Sequence, residues 1–92
     1  MTLIPTKTKT SYYRRLYIAY LIDTGVSTVP QIMLETGMPR RTIQDTIKSL
    51  SEIDIICVFI GATKDGHYEI THWGAINQKW ITNNLQHIIT VL

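Results

Sequence analysis

The sequence predicts an α+β, mainly α-helical domain: a three-helix core, a β-hairpin and a long C-terminal helix. Three observations predict it. Residues 28–50, T-V-P-Q-I-M-L-E-T-G-M-P-R-R-T-I-Q-D-T-I-K-S-L, read as two short helices joined by a glycine turn. Residues 54–71 hold two β-rich runs separated by G-A-T-K-D-G. Residues 73–92 keep apolar residues at helical spacing to the end. Ninety-two residues allow one domain, and a chain of this size buries only about 60–65% of its unfolded surface, so association would add to its core.

Residues 1–10 are rich in Thr and Lys without a period and read as a flexible arm, either a frayed terminus or an arm reaching DNA through Lys7 and Lys9. The single domain follows over 11–92. Its first helix is expected from about Ser11 to Asp23, capped by Thr10 or Ser11. Tyr13, Leu16, Tyr17, Tyr20 and Leu21 make one stripe and Ile18 and Ile22 a second, so this helix should be buried on most sides. Arg14 and Arg15 are expected to face solvent. The tyrosines read as core or dimer contacts with hydroxyls at the rim. Thr24-Gly25 ends the helix, and Val26-Ser27 leaves room for only a short strand.

Thr28 is a good N-cap, and Pro30 fits a first turn, where no N–H is needed. Gly37 offers an unstrained left-handed stop, and Pro39 opens the second helix of the pair. There Ile43, Ile47 and Leu50 form a buried stripe, while Arg40, Arg41, Gln44 and Lys48 lie opposite. A helix apolar beneath and basic-amidic above, after a glycine corner, is the helix-turn-helix pattern. Asp54 to Ile60 reads as a strand covered on both faces, with Cys57 a small buried hydrophobe. Gly61 to Gly66 forms the loop and His67 to Thr71 the return strand, with Tyr68 and Ile70 on one face.

These residues resemble the DNA-binding unit of bacterial winged helix-turn-helix regulators. T-G-M-P-R-R-T-I looks like their turn and the start of their recognition helix, and D-G-H-Y-E-I-T-H-W-G looks like their wing tip, return strand and approach to the next helix. Met33 stands where that family usually has alanine, and Asp54 where a glycine often follows the recognition helix; Asp tolerates the left-handed region better than most residues. The wider pattern, T-V-P, M-P-R-R-T and W-G-A-I, is similar to small prokaryotic winged helix-turn-helix, DNA-binding-like proteins. The resemblance implies a wing that meets the minor groove or phosphates, with Lys64 and His67 at the matching positions and Asp65 opposing them.

As a reader of double-stranded DNA, the helix at about 39–51 would enter the major groove. Arg40 and Arg41 suit guanine O6/N7 and Gln44 suits adenine N6/N7. Lys48 suits phosphate, and Thr42 phosphate or local capping. Asp45 must accept from cytosine, pair with Arg41, or face away. Thr28 and Gln31 could hold phosphate through backbone N–H groups. The net charge is only +2, yet residues 1–50 hold seven basic and three acidic side chains, against two and four in 51–92; this asymmetry places positive charge where phosphate attraction needs it.

The last helix, about 73–92, carries Trp73, Ile76, Trp80, Ile81, Leu85, Ile88 and Leu92 on one stripe, too much apolar surface for water. It is expected to pack with helix 1 and then against a second copy, with Tyr13, Tyr17, Trp73, Trp80, Leu85 and Ile88 at a homodimer interface; the alternative is that it closes the monomer core. Enzymatic chemistry is not expected. The histidines 67, 72 and 87 lack i, i+4 metal spacing, a lone Cys57 makes no disulfide or zinc cluster, and no glycine-rich phosphate loop follows a strand. No cofactor or metal is implied. The absence of an apolar run of roughly 18 residues and of a signal-peptide pattern in Met1 to Ser11 favours a cytoplasmic protein. The expected function is DNA binding, with transcription regulation its finer form; a protein–protein interaction module on the same fold is the alternative.

Overall fold

In a computed structural model that describes residues 4–92, helix α1 (Lys7–Asp23) is the central element, against which the helices at 40–49, 78–83 and 85–91 and the strand at 67–72 all pack. It is followed by α2 (Val29–Thr36), α3 (Arg40–Ser49), a 3-10 turn (Leu50–Ile53), strands β1 (Ile56–Ile60) and β2 (His67–His72), and helices α4 (Gln78–Asn83) and α5 (Leu85–Val91). Leu16, Ile18, Leu21 and Ile22 of α1 meet Ile32 of α2, Ile43 of α3, Ile81 of α4 and Ile88 of α5 in one core. A smaller cluster of Ala19, Leu50 and Ile55 seats the 3-10 turn. Burial around most of α1 is what its double apolar stripe predicts.

Helix α1 starts earlier than expected. Thr6 caps it, its Oγ1 accepting from the Lys9 N–H at 3.1 Å, and the Thr10 hydroxyl donates back to the Thr6 carbonyl. Lys7 and Lys9 therefore sit on the first helical turn, with the Lys9 ammonium 5.5 Å from the Tyr13 ring centroid, not on a free arm. Residues 1–3 of the expected arm lie outside the described residues. Arg15 is not turned to solvent either: Nε donates to Ser49 Oγ (2.8 Å), Nη1 to Ser11 Oγ (3.0 Å), and Nη2 lies 3.5 Å from Glu52. This fork ties α1 to the end of α3. Ser11 is thus spent on Arg15, which leaves capping to Thr6.

The α2–α3 corner forms as expected. Thr28 Oγ1 accepts from Gln31 N–H and Gln31 Oε1 accepts from Thr28 N–H, both at 3.2 Å, a reciprocal capping box. Gly37 takes φ 72°, and Asp54 takes the left-handed φ of 62° that its side chain tolerates. A Cβ on Gly74 would lie 2.8 Å from the Asp54 carbonyl oxygen, so the Gly74 turn packs directly on the left-handed turn at Asp54.

The sheet holds two antiparallel strands, with Cys57 opposite Ile70, Val58 opposite Glu69 and Phe59 opposite Tyr68, and an irregularity between Ile56 and Cys57. Val26-Ser27 makes no strand; Ser27 contributes one backbone bond, accepting from Tyr68 N–H at 2.8 Å. The first strand was expected to be covered on both faces. It is not: Ile56, Val58, Phe59 and Ile60 are all exposed, and only Cys57 is half-buried. β-branched composition marked the strand, but a two-stranded hairpin has too little neighbouring structure to cover it.

The terminal helix is also divided. Trp73 to Asn77 form a turn, with Gly74 at φ 60°, and Asn77 Oδ1 caps α4 by accepting from Lys79 and Trp80 N–H groups. At Asn84 the backbone leaves the helix (φ −120°) while its side-chain amide donates to the Trp80 carbonyl at 2.8 Å. Asparagine competes for backbone groups in this way, so the Asn83-Asn84 pair breaks a pattern whose apolar spacing alone reads as continuous.

Candidate nucleic-acid interface

Helix α3 presents two unlike sides. Ile43, Thr46 and Leu50 are buried and Ile47 is half-buried, and the Thr46 hydroxyl is satisfied by the Thr42 carbonyl at 2.7 Å. On the outer side Arg40, Arg41, Gln44, Asp45 and Lys48 are exposed, and Thr42 is half-buried. The Arg15 fork fixes the C-terminal end of α3 and the capping box fixes α2, so the outer side chains stand on a rigid corner. Between α3 and the hairpin lies a cleft of about 940 Å³, lined on one side by Gln44, Ile47 and Lys48 and on the other by Cys57, Phe59 and Tyr68.

Asp45 takes one of its three anticipated options. Its carboxylate lies 3.9 Å from Arg41 Nε at i, i+4, with both side chains largely in solvent; a pair so exposed is weak and leaves Arg41 able to exchange partners. In the hairpin, Lys64 and Asp65 are exposed on the loop, and His67 Nε2 lies 3.1 Å from Glu69 Oε1. Gly66 is required here for a reason the turn signal did not carry: a Cβ would run into the Phe59 ring, which itself packs edge-on against Tyr68 at 5.0 Å between centroids.

Thr28 and Gln31 correct an expectation. Their backbone N–H groups, proposed to hold phosphate, are occupied by each other's side chains, and Gln31 Oε1 accepts from Ser27 N–H as well. Arg40, Arg41, Gln44 and Lys48 are brought together on one side of α3, with Lys64 and His67 on the separate hairpin element.

The six residues expected at a dimer interface divide differently. Tyr17 and Ile88 are buried within the chain's own core, which leaves them no surface for a second copy. Trp73 and Leu85 are half-buried against that core. Tyr13 packs edge-on to both Trp80 and His87, and Trp80 retains an exposed edge. Burial raises the Tyr17 hydroxyl above its ordinary pKa, helped by Glu35 and Tyr20, and burial likewise pushes the Cys57 thiol up to about 11. Sequence reading missed Arg15; its i, i+4 spacing to Ser11 was the available sign.

A helical corner packed on α1 and followed by a hairpin across a cleft from α3 matches known proteins closely. Residues 7–92 match the winged helix-turn-helix family. The chain belongs to that family. A solved structure with the same winged-helix fold, a DUF2131 family protein from Shewanella amazonensis SB2B, shares 32% identity and superposes with a TM-score of 0.89, covering 96% of this chain and 94% of that one. No curated protein matches this chain. The β1–β2 hairpin is therefore the wing, and α3 the second helix of the helix-turn-helix, in the family's architecture. No helix among the described residues is long and apolar enough to cross a membrane.

Proposed function

We propose that this winged helix is a cytoplasmic transcriptional regulator that binds double-stranded DNA as a homodimer, inserting α3 into the major groove and laying the wing on the backbone or minor groove. One observation carries the reading: Arg40, Arg41, Gln44 and Lys48 all stand exposed on the side of α3 opposite its buried Ile43 and Thr46. Arg40 and Arg41, in the first helical turn, are where a recognition helix reaches base edges; an arginine fork fits guanine and the Gln44 amide fits adenine. Lys48, Thr42, Lys64 and His67 supply backbone contacts, which position the protein without reading sequence.

A second reading, a protein-interaction module, draws on a specific observation. Two of the intended contacts, Arg41 and His67, each lie beside an acid, Asp45 and Glu69. Selection of bound fragments from sheared genomic DNA separates the two readings, comparing wild type with an Arg40→Ala/Arg41→Ala variant across a salt series. Enrichment of a roughly palindromic motif, lost in the folded variant, is the expected result. Binding that is uniform over fragments and gone by about 0.2 M salt means phosphate attraction alone. No binding by the folded wild type leaves the interaction module.

A further inference from the structure

The chain's own core takes up much of the apolar face expected for a second copy, while apolar surface remains elsewhere. Ile56, Val58, Phe59 and Ile60 are 50%, 37%, 47% and 41% exposed, and they fall within five consecutive residues. Those residues are β1. It pairs with β2 along one edge only. The far side of β2 meets Ser27, so β2 is the inner strand, and among the described residues no strand lies on the other edge of β1. An antiparallel strand turns half of its backbone groups away from its partner, and an open edge is a template for another strand.

The usual obstacles are missing. Residues 55–63 include no charged side chain and no proline, and the single register irregularity lies at the strand's start, between Ile56 and Cys57. The segment I-C-V-F-I is also self-complementary when run antiparallel about its centre: Ile56 meets Ile60, Cys57 meets Phe59, and Val58 meets its own copy. Charge would therefore not oppose pairing with an identical strand. Across the hairpin, Val58 and Ile60 face Glu69 and His67, which gives an apolar centre with a polar border, the ordinary anatomy of an interface.

We propose that β1 is where a second copy of this chain adds its own β1, antiparallel about Val58, to join the two wings into one four-stranded sheet. The isologous geometry follows, because a strand paired antiparallel with itself has a two-fold axis at its middle residue. The interface is thus the wing edge and not the α4–α5 face.

Light scattering on the full chain, from about 10 µM to about 1 mM, tests this with three variants. Wild type is expected to be a dimer in that range. Val58→Lys should be monomeric: it sets two ammonium groups face to face across the axis, while each keeps Glu69 of its own chain opposite, so the monomer stays folded by circular dichroism. Ile89→Lys, on the exposed side of α5, should remain dimeric. In a Cys57→Ser background, Val58→Cys should form an intermolecular disulfide on oxidation, since directly opposed β-carbons lie about 5 Å apart. A wild type that is monomeric throughout, a dimer that persists in Val58→Lys, or one that dissociates in Ile89→Lys overturns the proposal. The assay contains no DNA, so its failure is distinct from a failure of the DNA-binding reading.

Discussion

Arg15 shows how one side chain sets the placement of α3. Its guanidinium reaches Ser11 in its own helix and Ser49 at the end of α3, and a planar fork satisfies both hydroxyls in a way an ammonium does not. Arg15→Ala should lower stability by about 1–2 kcal/mol, mostly from the lost bonds to serine, since Glu52 is an exposed partner of small weight; urea denaturation checks it, and Arg15→Lys should recover little of the loss. Cys57 makes a second prediction, through protons. The thiol ionises ordinarily near 9.0 and in the fold near 11, so between those values the folded chain binds more protons than the unfolded one. Its contribution to stability is complete below about pH 9 and is lost as pH rises toward 11. The urea midpoint should fall over that window, and fall less in Cys57→Ala. At about pH 8 the folded thiol should alkylate about a hundred times more slowly than in urea, in proportion to its thiolate fraction.

At the scale of elements, caps decide where helices start and stop. The Thr28–Gln31 box closes two N–H groups at the head of α2, so Thr28→Ala should cost about 1 kcal/mol, read as a drop in melting midpoint. This corner was legible in the sequence because every signal in it is local: a capping threonine, a proline in the first turn, a glycine at the stop. The apolar stripes of α1 and α3 were legible for the same reason. What escaped depended on partners far along the chain. Ser11 looked like a cap until Arg15 claimed it; β1 looked buried because its composition suits a covered strand, yet among the described residues it stays largely exposed. The break at Asn84 escaped because the side chain of that residue, not the apolar spacing, turns the backbone. Of the candidate site, the α3 face was readable from its period, whereas the closed N–H groups of Thr28 and Gln31 required the capping geometry.

At the scale of the whole molecule, α4 and α5 complete the core on which α3 rests. Ile81 and Ile88 are fully buried against α1, and α1 in turn holds α3 through Arg15. This packing predicts that the C-terminal helices unfold in one cooperative unit with α1 and α3. Ile88→Ala should remove about 2–5 kcal/mol through lost burial and an unfilled cavity, a large share of the stability of so small a domain. If the unit is single, urea unfolding followed by tryptophan fluorescence, with Trp73 and Trp80 both in this half, should coincide with unfolding followed by far-ultraviolet circular dichroism, before and after the substitution. A fluorescence transition that precedes the loss of helix would mean instead that the terminal helices detach from a helix-turn-helix core able to stand without them. In that event DNA binding should survive Ile88→Ala at denaturant concentrations where the tryptophan signal has already changed. A single coincident transition predicts that binding and fluorescence are lost together.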